Sequence, residues 1–254
     1  MDASNNWQDH APAAAQTGTV GDYGIFEPEH GYDLGADYYD LWKWQKIWQT
    51  VEWPHIDRML SALEAKSGGL SSVLDIGAGT GSYLRHAADK FRTTKFYGVD
   101  VSRRMLSLAQ SKLKGRAILT PGDARNLPFP DAHFDSVLMC RVGSHLNEID
   151  ATATEIRRVL RCGGLLILTD VDPRHPYQHT RIPYETTKIT IATFKHSLDE
   201  WASIAVKLGF RLRCQHTIWS GDVHQSGVTI LPSSLASSRS HPMSFIMGAQ
   251  KYTC

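Results

Sequence analysis

Gly77, Gly79 and Gly81 stand at alternate positions directly after a short apolar run, in the segment SSVLDIGAGTG. A glycine turn between a strand and a helix lets the backbone come close to a ligand and aims its amide donors at it. A dinucleotide-phosphate turn wants its third glycine at position 82, which is Ser82, so the spacing disfavours that ligand. Histidine is the side chain whose ordinary pKa suits proton transfer near neutrality. His145, in the segment SHLNE, is the first candidate for a general base, His196 the second, and His175 and His179 read as exposed loop residues. None of the four is spaced with a carboxylate as a metal ligand would be, so no metal is expected. The four cysteines, Cys140, Cys162, Cys214 and Cys254, form no CxxC pair and read as reduced thiols.

These groups need a scaffold, and the apolar pattern supplies one. SSVLDIG reads as a strand and YLRHAADKF as a helix, followed by the strand KFYGVD, a helix over SRRMLSLAQSKLK with Ser102 as N-cap, and the strand AILTPGD. FDSVLMC reads as a fourth strand, EIDATATEIRRVLR as a helix stopped by Gly163 and Gly164, and LLILTDVD as a fifth strand. Such alternation predicts an α/β fold with a doubly wound, mostly parallel sheet. His145, Arg141 and Ser144 follow the fourth strand and therefore fall at the carboxyl edge, where such folds place their sites.

Ahead of this core, Leu41, Trp42, Trp44, Ile47, Trp48, Val51, Ile56, Met59 and Leu60 recur at helical spacing with one break at Pro54, predicting two helices. Residues 1–20 read as a disordered terminus, 21–66 as an N-terminal helical segment and 67–254 as the core. Residues 171–196 are read as an insertion beside the site, SLDEWASIAVKLGF as a further helix, and RLRCQHTIW and SFIMGAQK as closing strands.

The chain has 254 residues with 27 basic and 26 acidic side chains, a formal net charge of +1. That balance offers no field for nucleic acid or an anionic membrane. The N-terminal segment lacks the basic and apolar regions of a secretory signal, and no apolar run is long enough to span a bilayer. A cytoplasmic protein, monomeric or homodimeric, with a small-molecule partner is the expectation.

The segment VLDIGAGTG resembles the class I S-adenosylmethionine-dependent methyltransferase family, whose signature acid and glycines match Asp75, Gly77, Gly79 and Gly81. The resemblance implies a seven-stranded Rossmann-like sheet with an N-terminal helical lid, and S-adenosylmethionine as cofactor. It implies that the glycine loop, with Ala78, bends around the cofactor's methionine part and that Asp100, followed by Val101, accepts hydrogen bonds from both ribose hydroxyls. GDARNLPFPDAHFDSV looks like the family's adenine-binding turn, which places Asp123 and Ala124 at the adenine, with Met105 packed on it and Cys140 at the same edge. EIRRVLRCGGLLILTD is similar to the branch that methylates quinones, sterols and secondary metabolites. The implied activity is methyl transfer to an O, N or C nucleophile of a small organic molecule, with His145 as base where a proton must leave.

Tyr39, Trp42, Arg141 and His196 are candidate acceptor-binding residues, although Tyr39 and Trp42 at helical spacing could instead serve packing. Three rival readings stand beside this one. A protein or nucleic-acid methyltransferase is disfavoured because the positions after the fourth strand read CRVGSH rather than the Asn/Asp-Pro-Pro-aromatic motif of amino-directed DNA enzymes. A nicotinamide oxidoreductase is disfavoured by Ser82. A cofactor-binding protein that no longer methylates, acting as scaffold or rearrangement catalyst, would keep the same loop.

Overall fold

Ser72–Ile76 is buried along its whole length, as a strand covered on both faces must be. It is an interior strand, third in the seven-stranded sheet. In the computed structural model, which describes residues 24–226 and 241–253, the chain opens with β1 (Ile25–Phe26), α1 (Pro28–Tyr39) and α2 (Lys43–Ser67). The core follows as β2 (Ser72–Ile76), α3 (Ser82–Lys90), β3 (Lys95–Asp100), α4 (Arg103–Leu113), β4 (Ala117–Pro121), β5 (Phe134–Cys140), α5 (Asp150–Val159) and β6 (Leu160–Val171). Then come β7 (Thr180–Tyr184), β8 (Thr187–Ile191), α6 (Leu198–Lys207), β9 (Phe210–Trp219), α7 (Ser220–Gln225) and β10 (Pro242–Lys251).

The sheet order is β4-β3-β2-β5-β6-β10-β9, with β2 to β6 parallel and β10 antiparallel to both β6 and β9. The chain winds outward from β2 to β4 and then returns to the other side of β2 as β5. The crevice where the direction reverses, at the carboxyl ends of β2 and β5, is where such sheets bind ligands. Leu74, Val137, Leu166, Phe245 and Met247 join Ile156, Trp201 and Phe210 in one buried layer; Val73, Leu138 and Ile167 join Leu84, Ala109 and Leu113 in the other.

Three local expectations change, and one segment gains detail. The break at Pro54 does not divide the N-terminal helix: α2 runs unbroken from Lys43 to Ser67. A mid-helix proline costs roughly 3 kcal/mol, but packing holds both halves in line. Ile47, Trp48 and Val51 pack with Ile218, Met243 and Ile246, while Ile56 and Leu60 pack with Val73 and Leu138. Gly163 and Gly164 do not stop a helix; α5 ends at Val159 and both glycines lie within β6, Gly163 at φ +78°. Residues 171–196 contain a β-hairpin, and β1 adds to it in parallel to make a separate sheet of order β1-β8-β7. Cys162, expected to be reduced, is disulfide-bonded, whereas Cys140 and Cys214 are free. The expected disorder of residues 1–20, and Cys254, lie outside the described residues.

The glycines of α1 explain how it reaches the hairpin. A Cβ at Gly35 would lie 2.2 Å from Ile182 Cδ1, and one at Gly31 2.8 Å from Ile191 Cγ1. The helix therefore presses its backbone onto the isoleucines of β7 and β8. Its other side carries acids: Asp33 accepts from Ser102 Oγ at 2.6 Å, Asp37 pairs with Arg104 at 2.7 Å and Asp40 with Lys112 at 2.8 Å.

Candidate active site

β2 ends at Ile76 and the chain turns at once through Gly77, whose φ of +68° few other residues adopt. A Cβ there would strike Val142 Cγ2 at 2.2 Å. The amides of Gly77 and Ala78 both donate to Val99 O, at 2.8 and 3.0 Å, which ties the loop to the neighbouring strand. Gly79 differs, because a Cβ on it would meet only Tyr39 Cε1 at 3.9 Å and Gly77 O at 4.0 Å, both ordinary contact distances. Its missing side chain leaves space that opens into a cavity. Gly81 does not reach that cavity; it begins α3 where the helix passes Ala109 and Leu113 of α4.

Asp100 closes β3 and lies 8% exposed. Its Oδ2 accepts from Gly79 N at 2.7 Å and its Oδ1 from Ser102 N at 2.9 Å. Burial pushes its carboxyl up to about 6, against the lowering effect of the Ser102 and Gly79 amides. Ser102 caps α4 as expected, accepting from Met105 N at 3.1 Å. Asp75 lies beneath the loop, 2% exposed, with Oδ1 buried and unpartnered. Burial, with the nearby Asp100, raises its carboxyl to about 8.

These elements enclose a cavity of about 320 Å³ lined by Gly77, Gly79, Asp100, Val101, Met105, Asp123, Ala124, Cys140, Arg141 and His145. Tyr32, Tyr39, Val142, Leu146, Asn147 and Phe194 also line it, with Glu27 and Glu29 beside them. Asp123 is engaged by Arg125, whose Nη2 lies 2.5 Å from Oδ2 and holds the acid below the ordinary carboxylate range. Asp75, Ala78 and Gly81 support the loop from outside this wall.

Two acceptor candidates stand apart from the cavity. Trp42, in extended backbone at the N-cap of α2, packs with Tyr39 and the hairpin isoleucines, its ring 6.1 Å from that of Tyr39. His196 is held by Leu146 O at 2.7 Å from its Nε2 and caps the path into α6 without lining the wall. His175 and His179, expected to be exposed, each bury one ring nitrogen without a partner.

His145 sits in a short 3-10 turn, Gly143–His145, just after β5. Asp170, at the end of β6, fixes this turn by accepting from Ser144 N at 2.7 Å. His145 Nδ1 lies 2.9 Å from the carbonyl of Ala192. A carbonyl only accepts, so the ring carries its proton on Nδ1 and keeps a lone pair at Nε2. That lone pair meets the hydroxyl of Tyr32, from α1, at 2.7 Å. Burial drives the imidazole down to about 4, so it is neutral at physiological pH.

The sequence reading omitted Tyr32, Phe194 and the acid behind Arg141. Arg141 has a left-handed backbone, φ 58°, and its amide donates to Thr169 O at 2.7 Å. Its Nη1 donates to Glu52 Oε2 at 2.6 Å and to Tyr83 Oη at 3.1 Å. Among the described residues no group of three or more His, Cys, Asp or Glu could hold a metal, and no helix is long and apolar enough to cross a membrane.

Comparison with known proteins agrees with this geometry. The methyltransferase domain family matches residues 74–168. The demethylmenaquinone methyltransferase of Tropheryma whipplei is 38% identical over 168 residues, covering 58% of this chain and 67% of that protein. The fatty-acid O-methyltransferase of Mycolicibacterium smegmatis is 34% identical over 104 residues, 41% of this chain and 38% of that protein. An S-adenosylmethionine-dependent methyltransferase from Mesorhizobium loti superposes with a TM-score of 0.61 at 16% identity, over 79% of this chain and 97% of that one. The [4+2]-cyclase SpnF superposes at 0.55 with 21% identity, over 78% and 81%, so the fold alone leaves the reaction open. The chain belongs to the S-adenosylmethionine-dependent methyltransferase family. It spans only 38% and 57% of the length of two of its relatives, the fatty-acid enzyme and a demethylmenaquinone methyltransferase from Thermotoga maritima.

Proposed function

We propose that this chain binds S-adenosylmethionine in the cavity and transfers its methyl group to an O, N or C nucleophile of a small organic molecule, in secondary or cofactor metabolism in the cytoplasm. The observation that carries this reading is the convergence of Gly79, Asp100, Met105 and Ala124 with His145 on one wall. The residues fit the cofactor: the open space at Gly79 admits its backbone-hugging tail, Asp100 offers acceptor lone pairs for the ribose hydroxyls, and Met105 and Ala124 give apolar contact for a flat base. When bound, S-adenosylmethionine supplies an electrophilic methyl group on a sulfonium.

The protein then has to align the acceptor, keep water out and accept a proton. α1 lines one side of the cavity and is backed by the isoleucines of β7 and β8. Tyr32, Tyr39, Phe194 and Leu146 give its acceptor side an apolar and aromatic character, in keeping with the quinone and fatty-acid names of the relatives. His145 Nε2 is the proton acceptor, reached either directly or through the Tyr32 hydroxyl that donates to it.

Titration calorimetry with S-adenosylmethionine and S-adenosylhomocysteine tests the reading, since a true ligand of the native state also raises the melting temperature. Micromolar binding of both, followed by a one-methyl mass gain in an acceptor screen, is the expected result. Stabilisation by a nicotinamide dinucleotide alone would overturn it. Binding without methyl gain on any nucleophile would favour the scaffold or rearrangement role.

A further inference from the structure

Glu52 is 0% exposed, and the methyl-transfer scheme above leaves it idle. A buried carboxylate is costly unless it is paired and hydrogen-bonded. Its Oε2 takes three donors: Arg141 Nη1 at 2.6 Å, Tyr83 Oη at 2.7 Å and Thr169 Oγ1 at 3.0 Å. The guanidinium of Arg141 lies 5.5 Å from the Trp48 ring and 5.6 Å from the Tyr83 ring. One long side chain is thus fixed by an acid and two aromatic rings, from a residue that also holds a left-handed φ of 58°. Such restraint is the pattern of a preorganised binding group.

What the restraint leaves unused is informative. Nη1 spends its hydrogens on Glu52 and Tyr83, while Nε and Nη2 have no hydrogen-bond partner among the described residues. Those two atoms form the fork that receives a carboxylate side-on. The same protein uses it from Arg125 to Asp123, from Arg158 to Glu155 and from Arg174 to Asp172. Arg141 lines the cavity together with Gly77, Gly79 and Tyr39.

We infer that Arg141 is the anchor for the α-carboxylate of the cofactor's amino-acid tail and that Glu52, reaching in from α2, is the positioning residue that aims its free fork. This rests on the cofactor reading above. It ties α2 to the binding step, although α2 contributes no side chain to the cavity wall.

The test compares two ligands by calorimetry, S-adenosylhomocysteine and its decarboxylated analogue, on the wild-type chain and on Arg141→Gln, Arg141→Lys and Glu52→Gln. Wild type is expected to prefer the carboxylate ligand by about 10- to 100-fold, the range of a charge-assisted hydrogen-bonded pair. Arg141→Gln should collapse that preference to about threefold or less. Glu52→Gln should shrink the preference while leaving affinity for the analogue unchanged, a split that a merely structural role would not give. If Arg141→Gln fails to fold, Glu52→Gln and Arg141→Lys carry the same comparison. A preference that survives in the folded variants overturns the anchor. Equal binding of the two ligands by wild type, with Arg141→Gln instead losing affinity for a free fatty carboxylate, assigns the fork to the acceptor and overturns the cofactor assignment. Failure of wild type to bind S-adenosylhomocysteine at all overturns the cofactor reading itself.

Discussion

The hydroxyl of Tyr32 lies 2.7 Å from Nε2 of His145, with its ring edge-on to the imidazole at 5.2 Å between centroids. A residue of the N-terminal helix thereby occupies the lone pair of the one histidine that, among the described residues, lines the cavity wall. His145→Ala is expected to keep S-adenosylhomocysteine affinity within about twofold and to lose about 10²- to 10⁴-fold in turnover on a hydroxyl acceptor. Tyr32→Phe, which leaves Nε2 in place, should cost less. Steady-state kinetics on both variants check this, and unchanged turnover in His145→Ala removes the base.

The same histidine sets a pH signature. Because burial holds it down to about 4, it stays unprotonated throughout the neutral range. At saturating cofactor, kcat should hold its value as pH falls from 8 to 5 and decline only toward 4. An acid limb near the ordinary histidine value of about 6.5 would mean that another group accepts the proton.

Asp100 makes the opposite demand. Burial raises its carboxyl to about 6 in the free chain, and only the ionised form is a full acceptor for ribose hydroxyls. Cofactor affinity should be level above pH 7 and weaken by up to about tenfold per pH unit below 6. Asp100→Asn should lose affinity, remove this pH dependence and retain its circular dichroism spectrum. Calorimetry at several pH values settles both points.

Asp75 binds its proton more tightly in the folded chain than when unfolded, with a carboxyl near 8. Its contribution to stability is therefore full below about pH 4 and is lost as pH rises toward 8. Asp75→Asn should gain at least about 1 kcal/mol over wild type at pH 8 and nearly nothing at pH 4. Thermal melts of the ligand-free chain across that range would show the two curves separating.

Gly35 offers a packing test. A Cβ there meets Ile182 Cδ1 at 2.2 Å, so Gly35→Ala should destabilise by about 1–3 kcal/mol despite alanine's better helix propensity. Adding Ile182→Val removes that Cδ1 and should recover most of the loss. Denaturant melts of the single and double variants measure the coupling.

The strands of the core and the glycine turn were legible because each follows from local spacing, whereas the place of Asp100 beside that turn came from the family resemblance. Glycines at alternate positions need only the next few residues to be understood, and a wholly apolar run flanked by turns needs only its own length. Tyr32 was invisible for a physical reason. α1 contains Gly31 and Gly35 and a scatter of acids, a composition that argues against a helix until the hairpin isoleucines and the cations of α4 are present. Glu52 was hidden in the same way, since an acid in an amphipathic helix reads as solvent-facing until Arg141 and Tyr83 are brought to it. Pro54 misled because the packing of Trp48, Val51, Ile56 and Leu60 on both sides outweighs a missing amide. The hairpin of β7 and β8 lay in a segment whose prolines and charges obscured its three buried isoleucines.

β1 pairs with β8, so the small sheet is built from segments more than 150 residues apart. Neither can be inherited alone. A chimera that takes its N-terminal helix from a relative brings new side chains to Ile182 and Ile191, and one that takes only the hairpin leaves Gly31 and Gly35 facing an unmatched surface. Substrate preference in this lineage is therefore expected to evolve by paired change at both segments, and exchanges between relatives will keep the fold only when the two travel together.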